Sequence, residues 1–442
     1  MIEKKYLFEE APVPKAVVTI ALPMVMSMLV TIIYNLADTF FVGQTGDPNQ
    51  VAAVSLTMPV FLVFLALGNM FGIGGGSFIS RSLGAKQEER AKNISSFSFY
   101  ASIVVGVIMI GVFLLGMPII LKFIGASENT SGFSRDYLTY VALGAPFCIL
   151  SQALTHITRS EGAARQAMVG MMLGTITNII LDPIMILWMG MGVKGAAIAT
   201  VIGNMAGVVY YILYLTRKTQ ILSISLKDFK MDDGILTGVL AVGLPASLNS
   251  ILMSTAHIIL NNFLAMYGDL AVAAMGVAMK ANMLIILLQI GLAVGIQPLV
   301  GYNYVAKNLK RMKSVIKFTA VCIISFASIM TVLYFMGSDF IIRIFIEDEG
   351  VIRYGVPMLR AIMIPAPVIG ILFIIINSLQ AMGKAMSSLI LTLSRQGLTF
   401  IPAIFILNAL FQLDGIIYTQ VVADFVSIIV ALILFISILK KI

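Results

Sequence analysis

Residues 16–43 read AVVTIALPMVMSMLVTIIYNLADTFFVG, an apolar run long enough to cross the ~30 Å hydrocarbon layer of a bilayer as one helix. A second long run, GILTGVLAVGLPASLNSILMSTAHIILNNFLA, occupies residues 234–265. Hydrophobic residues make up 59% of the chain and charged residues 11%, whereas roughly a quarter of an ordinary soluble domain is charged. The sequence therefore predicts an integral membrane protein.

Further apolar runs of about 20 residues or more follow each of these two stretches. The predicted fold class is an all-α integral membrane protein with twelve transmembrane helices. We expect the spans near residues 16–43, 51–79, 94–121, 137–158, 167–189, 195–216, 234–265, 271–299, 315–336, 354–380, 386–409 and 415–438. The connections are too short for a soluble domain, and the first run is too long for a cleaved signal peptide.

The distribution of lysine and arginine predicts the orientation of the chain. Twenty-one of them lie at the termini and in the even-numbered connections, and five lie in the odd-numbered ones. Because basic residues stay on the cytoplasmic side, both termini are expected in the cytoplasm. The net charge of +8 reflects this asymmetry, so we expect no nucleic-acid partner.

The second half of the chain repeats the first at an offset of about 220 residues. Matching pairs include Leu22-Pro23 with Leu244-Pro245, Ala85-Lys86 with Ala306-Lys307, Pro146 with Pro365, and Pro183 with Pro402. Each half has six predicted spans, so the repeats are parallel. We predict an N-terminal lobe at residues 1–216, a cytoplasmic linker at 217–232 and a C-terminal lobe at 233–442. Two such lobes can expose a central cleft to each side of the membrane in turn.

Polar residues cluster at one depth of the first half. Asp38 lies one helical turn after Asn35, and Asp182 lies one turn after Asn178, so each pair shares a helix face. Thr200 lies at comparable depth in span 6. Carboxylate, amide and hydroxyl oxygens suit a hard cation or a bound proton. Asp38, Asn178, Asp182 and Thr200 are therefore predicted to couple transport to a cation; the alternative is that each aspartate caps a kink or bonds a neighbouring helix.

The second half has a different set of ionisable residues. Its counterparts of Asp38 and Asp182 are Leu260 and Ile401, whereas Lys280, Arg395 and Asp424 lie near mid-depth of spans 8, 11 and 12. These three are predicted to form a buried polar network that fixes the lobe, the alternative being a charge that meets substrate. Asn35, His257 and Gln289 are further candidates for a substrate cleft.

Several other chemistries find no support in the sequence. The glycines at 72–76 are not followed by Lys-Ser/Thr, so they do not form a nucleotide-binding loop. His156 and His257 are isolated, and Cys148 and Cys322 lie inside spans. We therefore expect no enzyme, no cofactor, and no metal beyond a Na⁺ at the coupling site.

Three stretches resemble the multidrug and toxic compound extrusion (MATE) family: LPMVMSMLVTIIYNLADTFFVG, GNMFGIGGGSFISRSLGAK, and TNIILDPIMI followed by GVKGAAIATVIGN. The FEEAPVPKA opening and SLTMPVFLVFLALGN are similar to its staphylococcal MepA-type branch. Many members of that branch carry an acid in span 4; here span 4 has Gln152, Thr155 and His156 but no carboxylate.

The resemblance implies a secondary antiporter that exports lipophilic cationic drugs in exchange for Na⁺ or H⁺. In that family the residues matching Asp38, Asn178, Asp182 and Thr200 form the cation site. The expected protein is a monomer in a bacterial plasma membrane, with small molecules as substrates and the bilayer as its surroundings. The alternatives are a flippase for a lipid-linked oligosaccharide or lipid and, from another class, a membrane enzyme or a channel.

Overall fold

The structure is a computed structural model that describes residues 2–346 and 348–441, with side chains described except at residues 2–5, 35, 36, 38, 39, 48, 254 and 269. The first six spans are Val13–Gly43, Pro48–Gly84, Glu88–Leu115, Glu128–Leu143 with Ala145–Ser160, Ala164–Asp182 with the wide helical segment Pro183–Trp188, and Val193–Arg217. Short helices at Ile2–Glu9 and Met117–Phe123 and a turn at Leu226–Asp228 complete this half.

The next six spans begin with Ile235–Ala265, Asp269–Gly295 with Gln297–Val305, Leu309–Met336 and Glu349–Met363 with Ala366–Ala381. A short helix, Ser338–Phe345, precedes the fourth of these. The last two spans are formed by the helix Ala385–Leu393, the π-helical segment Ser394–Thr399 and the helix Phe400–Lys440. The last of these helices is interrupted at Gln412. We number the spans 1 to 12 in this order.

The helices of the described chain account for all twelve predicted spans. Nine stretches are long and apolar enough to cross a membrane, and two bent pairs raise that number to eleven. One of the nine, Ala385–Lys440, has 56 residues. At 1.5 Å per residue it would be ~84 Å long, far more than one crossing needs, and Gln412 divides it into spans 11 and 12. The prediction was incomplete for spans 4 and 10, which begin earlier than expected and are broken at Gly144 and Pro365 by bends of 55° and 51°.

Backbone conformation repeats at the same offset as the sequence. Residues with positive φ occur in matching pairs: Gly46 and Gly268, Lys86 and Lys307, Gly162 and Gly383, Gly192 and Gln412. Gly192 and Gln412 both have φ 54°, with ψ of −132° and −131°. Because left-handed backbone is costly for a residue with a side chain, the fold imposes this conformation on Gln412.

The chain folds into two compact units. The first contains residues 1–11, 26–247 and 301–307, and the second contains 12–25, 248–300 and 308–442. Spans 1 and 7 therefore contribute to both units, and each changes unit two residues after its proline, Pro23 or Pro245. The lobe limits drawn from the sequence, 1–216 and 233–442, remain a prediction.

Within each unit, one close approach of two helices depends on residues with little or no side chain. In the first unit, a Cβ on Gly74 of span 2 would collide with the backbone of Val239 in span 7, and one on Gly243 would collide with Met70. In the second unit, a Cβ on Gly295 of span 8 would lie 2.6 Å from the backbone α-carbon of Ala21 in span 1. Small residues let membrane helices approach this closely.

Apolar side chains also cover the outside of the spans. Val104, Val107, Ile108 and Val112 form a stripe along span 3 and are each half exposed. Near the ends of spans, Phe123 and Trp188 are each 89% exposed. Such surfaces fit the interior and the interfaces of a bilayer, where aromatic residues concentrate at the boundary with water.

The substitution Gly243→Ala should destabilise the protein by about 2 kcal/mol, since the added methyl group meets the backbone of span 2. Gly111→Ala in span 3 is the matched control, because a Cβ there meets nothing within 4 Å. Thermal unfolding of the detergent-solubilised protein measures both. Equal midpoints for the two variants would contradict the proposed close approach.

Candidate functional site

Spans 5 and 6 of the first unit cross with their backbones almost touching. Span 5 carries Gly170 and Gly174, and span 6 carries Gly203 and Gly207, each pair separated by one helical turn. A Cβ on Gly174 would lie 2.9 Å from the carbonyl oxygen of Gly203, and one on Gly207 would lie 3.1 Å from that of Gly170. Glycines at this spacing allow the tight crossing.

The crossing brings the predicted residues Asn178, Asp182 and Thr200 together. The Asn178 amide nitrogen lies 3.3 Å from both Asp182 Oδ1 and Thr200 Oγ1. With the amide turned by 180°, its nitrogen donates to Asp182 Oδ2 at 3.0 Å and its oxygen accepts from the Thr200 N–H at 2.9 Å, which is the better geometry. Asp182 is completely buried, and Asn178 and Thr200 are 3% and 4% exposed.

The helix widens immediately after Asp182. Pro183 has no N–H for a normal helical bond, and the segment Pro183–Trp188 forms a π-helical turn instead. The Met191 N–H donates to the Met185 carbonyl at 3.1 Å, and a Cβ on Gly195 would lie 2.7 Å from that carbonyl. The start of span 6 thus rests against the widened turn, which holds Asp182 at the end of its α-helix.

This cluster offers one carboxylate, one amide and one hydroxyl in a site that lacks exposure to solvent. Such oxygens suit Na⁺, and a buried carboxylate can alternatively hold a proton. No group of three or more His, Cys, Asp or Glu that could hold a transition metal occurs in the described residues. The side chains of Asn35 and Asp38 lie outside the described residues, so their assigned roles remain predictions.

A second polar network in the first unit was not predicted. The side chains of Gln152 and His156 contact Asn69 Oδ1 at 2.9 and 3.2 Å, and Arg159 Nη2 lies 2.6 Å from His156 Nδ1. Thr155 contacts the Tyr211 hydroxyl at 2.9 Å. The span-4 residues identified in the sequence are therefore all engaged with neighbouring side chains.

A buried carboxylate lies just beyond the residues predicted for span 4. Glu161 is completely buried, and it accepts from the Tyr214 hydroxyl at 2.5 Å and from the Thr219 hydroxyl at 2.6 Å. Sequence patterns gave no sign of it because Glu161 falls in a connection, where acidic residues are ordinary.

In the second unit, Arg395 and Asp424 form a buried ion pair. Arg395 Nε lies 2.7 Å from Asp424 Oδ1, and the Gln420 amide donates to the same oxygen at 2.7 Å. The guanidinium lies 5.4 Å from the centroid of the Phe373 ring. Two of the three residues predicted for the polar network are thus in contact, whereas Lys280 has no ion pair within the described part of the chain.

Lys280 and His257 instead line a cavity of about 440 Å³ within the second unit. Gln289 does not line it: its amide donates to the Ala366 carbonyl at 2.8 Å, next to the break of span 10. Gln289 therefore joins span 8 to span 10 in the structure.

A model of the MatE family matches residues 23–184 and 245–406 of the chain. The chain belongs to the MatE family. The two matches begin about 220 residues apart, which confirms the internal repeat. Members of this family are transporters and not enzymes. The family also agrees with the twelve apolar spans, so the chain is a multi-pass membrane protein.

Staphylococcal proteins are among the relatives to which this MatE chain is similar. "Multidrug export protein MepA" of Staphylococcus saprophyticus is 36% identical over 98% of this chain and 95% of its own length. The protein of the same name from Staphylococcus aureus is 37% identical over 96% and 93%. A solved structure described as the outward-facing conformation of a multidrug resistance MATE family transporter of the MOP superfamily matches with a TM-score of 0.92 at 28% identity, covering 99% of this chain and 98% of the other.

The buried ion pair of this MatE chain, Arg395 with Asp424, is expected to contribute to the free energy of unfolding. Arg395→Gln and Asp424→Asn should each cost about 3 kcal/mol, because each leaves a buried charge without its partner. The double variant should lose less than the sum of the two. Chemical unfolding of the purified protein measures this coupling.

Arg343→Gln serves as the control for these variants. Arg343 pairs with Asp339 and Glu349, but its side chain is 43% exposed, so its loss should cost less than about 1 kcal/mol. Additive losses in the Arg395 and Asp424 variants would count against a direct pair.

Proposed function

We propose that this chain is a secondary antiporter that exports drugs or toxic, mostly lipophilic cationic organic compounds in exchange for Na⁺ or H⁺. The observation that carries the proposal is the buried cluster of Asn178, Asp182 and Thr200 in a member of the MatE family. The relatives named as multidrug export proteins support the class of substrate. They do not favour the flippase alternative.

The chemistry of the cluster explains how an ion could drive export. Burying a charged carboxylate at membrane depth costs free energy, so binding of a cation or a proton by Asp182 lowers the free energy of the protein. Transporters of this family draw on ion gradients. Coupling requires that the ion and the substrate favour different conformations, so that binding of one promotes release of the other. Asp38 is proposed to share this role.

The remaining assignments follow from the charge distribution and the family. We place the protein in the plasma membrane of a bacterium, with both termini in the cytoplasm because the basic connections lie on their side. We expect it to act as a monomer, without nucleic acid or a bound cofactor.

The substitution Asp182→Asn should reduce efflux of ethidium from energised cells by at least about tenfold, since it removes the charge that holds the ion. Thr200→Val should have a smaller effect. Asp136→Asn is the matched control: Asp136 is an acid of the same unit, is 40% exposed and pairs with Lys194, so its variant should export normally.

Undiminished export by the Asp182→Asn protein would remove this residue from the coupling mechanism. Reconstituted vesicles with a Na⁺ gradient or a pH gradient imposed separately identify the ion. Export under one gradient alone assigns it, and export with neither gradient would contradict antiport.

A further inference from the structure

The cavity of the second unit has the size of a ligand site. Its volume of about 440 Å³ falls within the range of small-molecule pockets in proteins. Side chains from spans 7, 8, 10, 11 and 12 surround it. All of these side chains belong to the second unit, whereas the cation cluster belongs to the first.

Methionine provides much of the apolar wall. Met253 of span 7 and Met275, Met279 and Met283 of span 8 line the cavity together with Phe373. The methionine side chain is flexible and polarisable, so such a wall adapts to apolar bodies of different shapes.

The charge of the wall is positive. Lys280 and Arg395 line the cavity, and its lining contains no acidic side chain among the described residues. The Arg395 charge is balanced by Asp424 at 2.7 Å. Lys280 is exposed, and no described carboxylate pairs with it. A cation at this depth of a span normally faces a partner or water, and here the cavity is what it faces.

Two buried acceptors in the lining also lack donors within the described part of the chain. Asn282 Oδ1 and Gln396 Oε1 have no hydrogen-bond partner there, although each residue is only 6% exposed. A buried acceptor without a donor is costly, and a ligand with an N–H or O–H group would remove that cost.

We propose that this cavity binds amphiphilic molecules that carry an anionic group, such as a carboxylate, on an apolar or aromatic body. The anionic group pairs with Lys280, and N–H or O–H groups of the ligand donate hydrogen bonds to Asn282 and Gln396. The apolar body of the ligand packs against the methionines. The inference rests on the proposed function and deepens it, because it assigns the anionic group of a substrate to named residues of the second unit.

Binding of two dyes that share the same aromatic ring system tests the proposal. Rhodamine B has a free carboxyphenyl group, and its ethyl ester lacks that negative charge. In fluorescence-anisotropy titrations of the purified full-length protein, Lys280→Gln should weaken binding of rhodamine B about tenfold and that of the ester less than twofold, because one charge-assisted contact is lost. Lys280→Arg should retain both affinities.

The charge reversal Lys280→Glu separates the proposal from simple misfolding. This variant should bind the ester more tightly than the unaltered protein does, while it loses rhodamine B. The proposal is overturned if the unaltered protein binds neither dye, if Lys280→Gln weakens both equally or neither, or if Lys280→Glu leaves the preference unchanged. Binding needs no gradient, so failure of gradient-driven export with this preference intact would count against the antiporter alone.

Discussion

The close crossing of spans 5 and 6 is the interaction on which the candidate ion site depends. Carbonyl oxygens of Gly174 and Gly203 lie where any larger residue would place its side chain, so the two backbones meet without spacers. One turn further along, Asn178 and Thr200 face each other at hydrogen-bond distance. The widened turn after Asp182 then fixes the carboxylate at the same level. Packing of small residues thus sets the geometry of a polar site that neither helix could form alone.

The two halves share a backbone and differ in chemistry. Matching positive-φ residues and matching breaks in spans 4 and 10 show that the fold repeats. The first unit contains the buried carboxylate Asp182 in contact with the neutral amide of Asn178, whereas the second pairs its carboxylate Asp424 with Arg395 and leaves Lys280 facing a cavity. Duplication explains the common architecture, and later divergence of polar residues can assign a different ligand to each unit. The proposals place the ion in the first and a class of substrate in the second.

Much of the fold was predictable because apolar runs and matched motifs report directly on membrane spans and repeats. The faces shared by Asn178 and Asp182 followed from helical spacing alone. Their contact with Thr200 did not, although the glycine spacing in spans 5 and 6 could have indicated the crossing. The left-handed backbone at Gln412 arises from tertiary packing, as do the oxygens of Asn282 and Gln396 that lack donors among the described residues, and no local pattern marks them. Gln289 joins two helices in the structure, a contact that the sequence did not indicate, and its assignment to a substrate cleft stays a prediction.

Ion release on substrate binding tests the central claim most directly. Ethidium is added to weakly buffered purified protein, and a pH electrode and a Na⁺ electrode record what is released. The account predicts release of about one H⁺ or Na⁺ per ethidium bound, since linkage makes the two ligands compete through conformation. Release should disappear in Asp182→Asn and persist in Asp136→Asn. Equal release from the Asp182→Asn protein and the unaltered protein would contradict the assignment of the ion to this carboxylate.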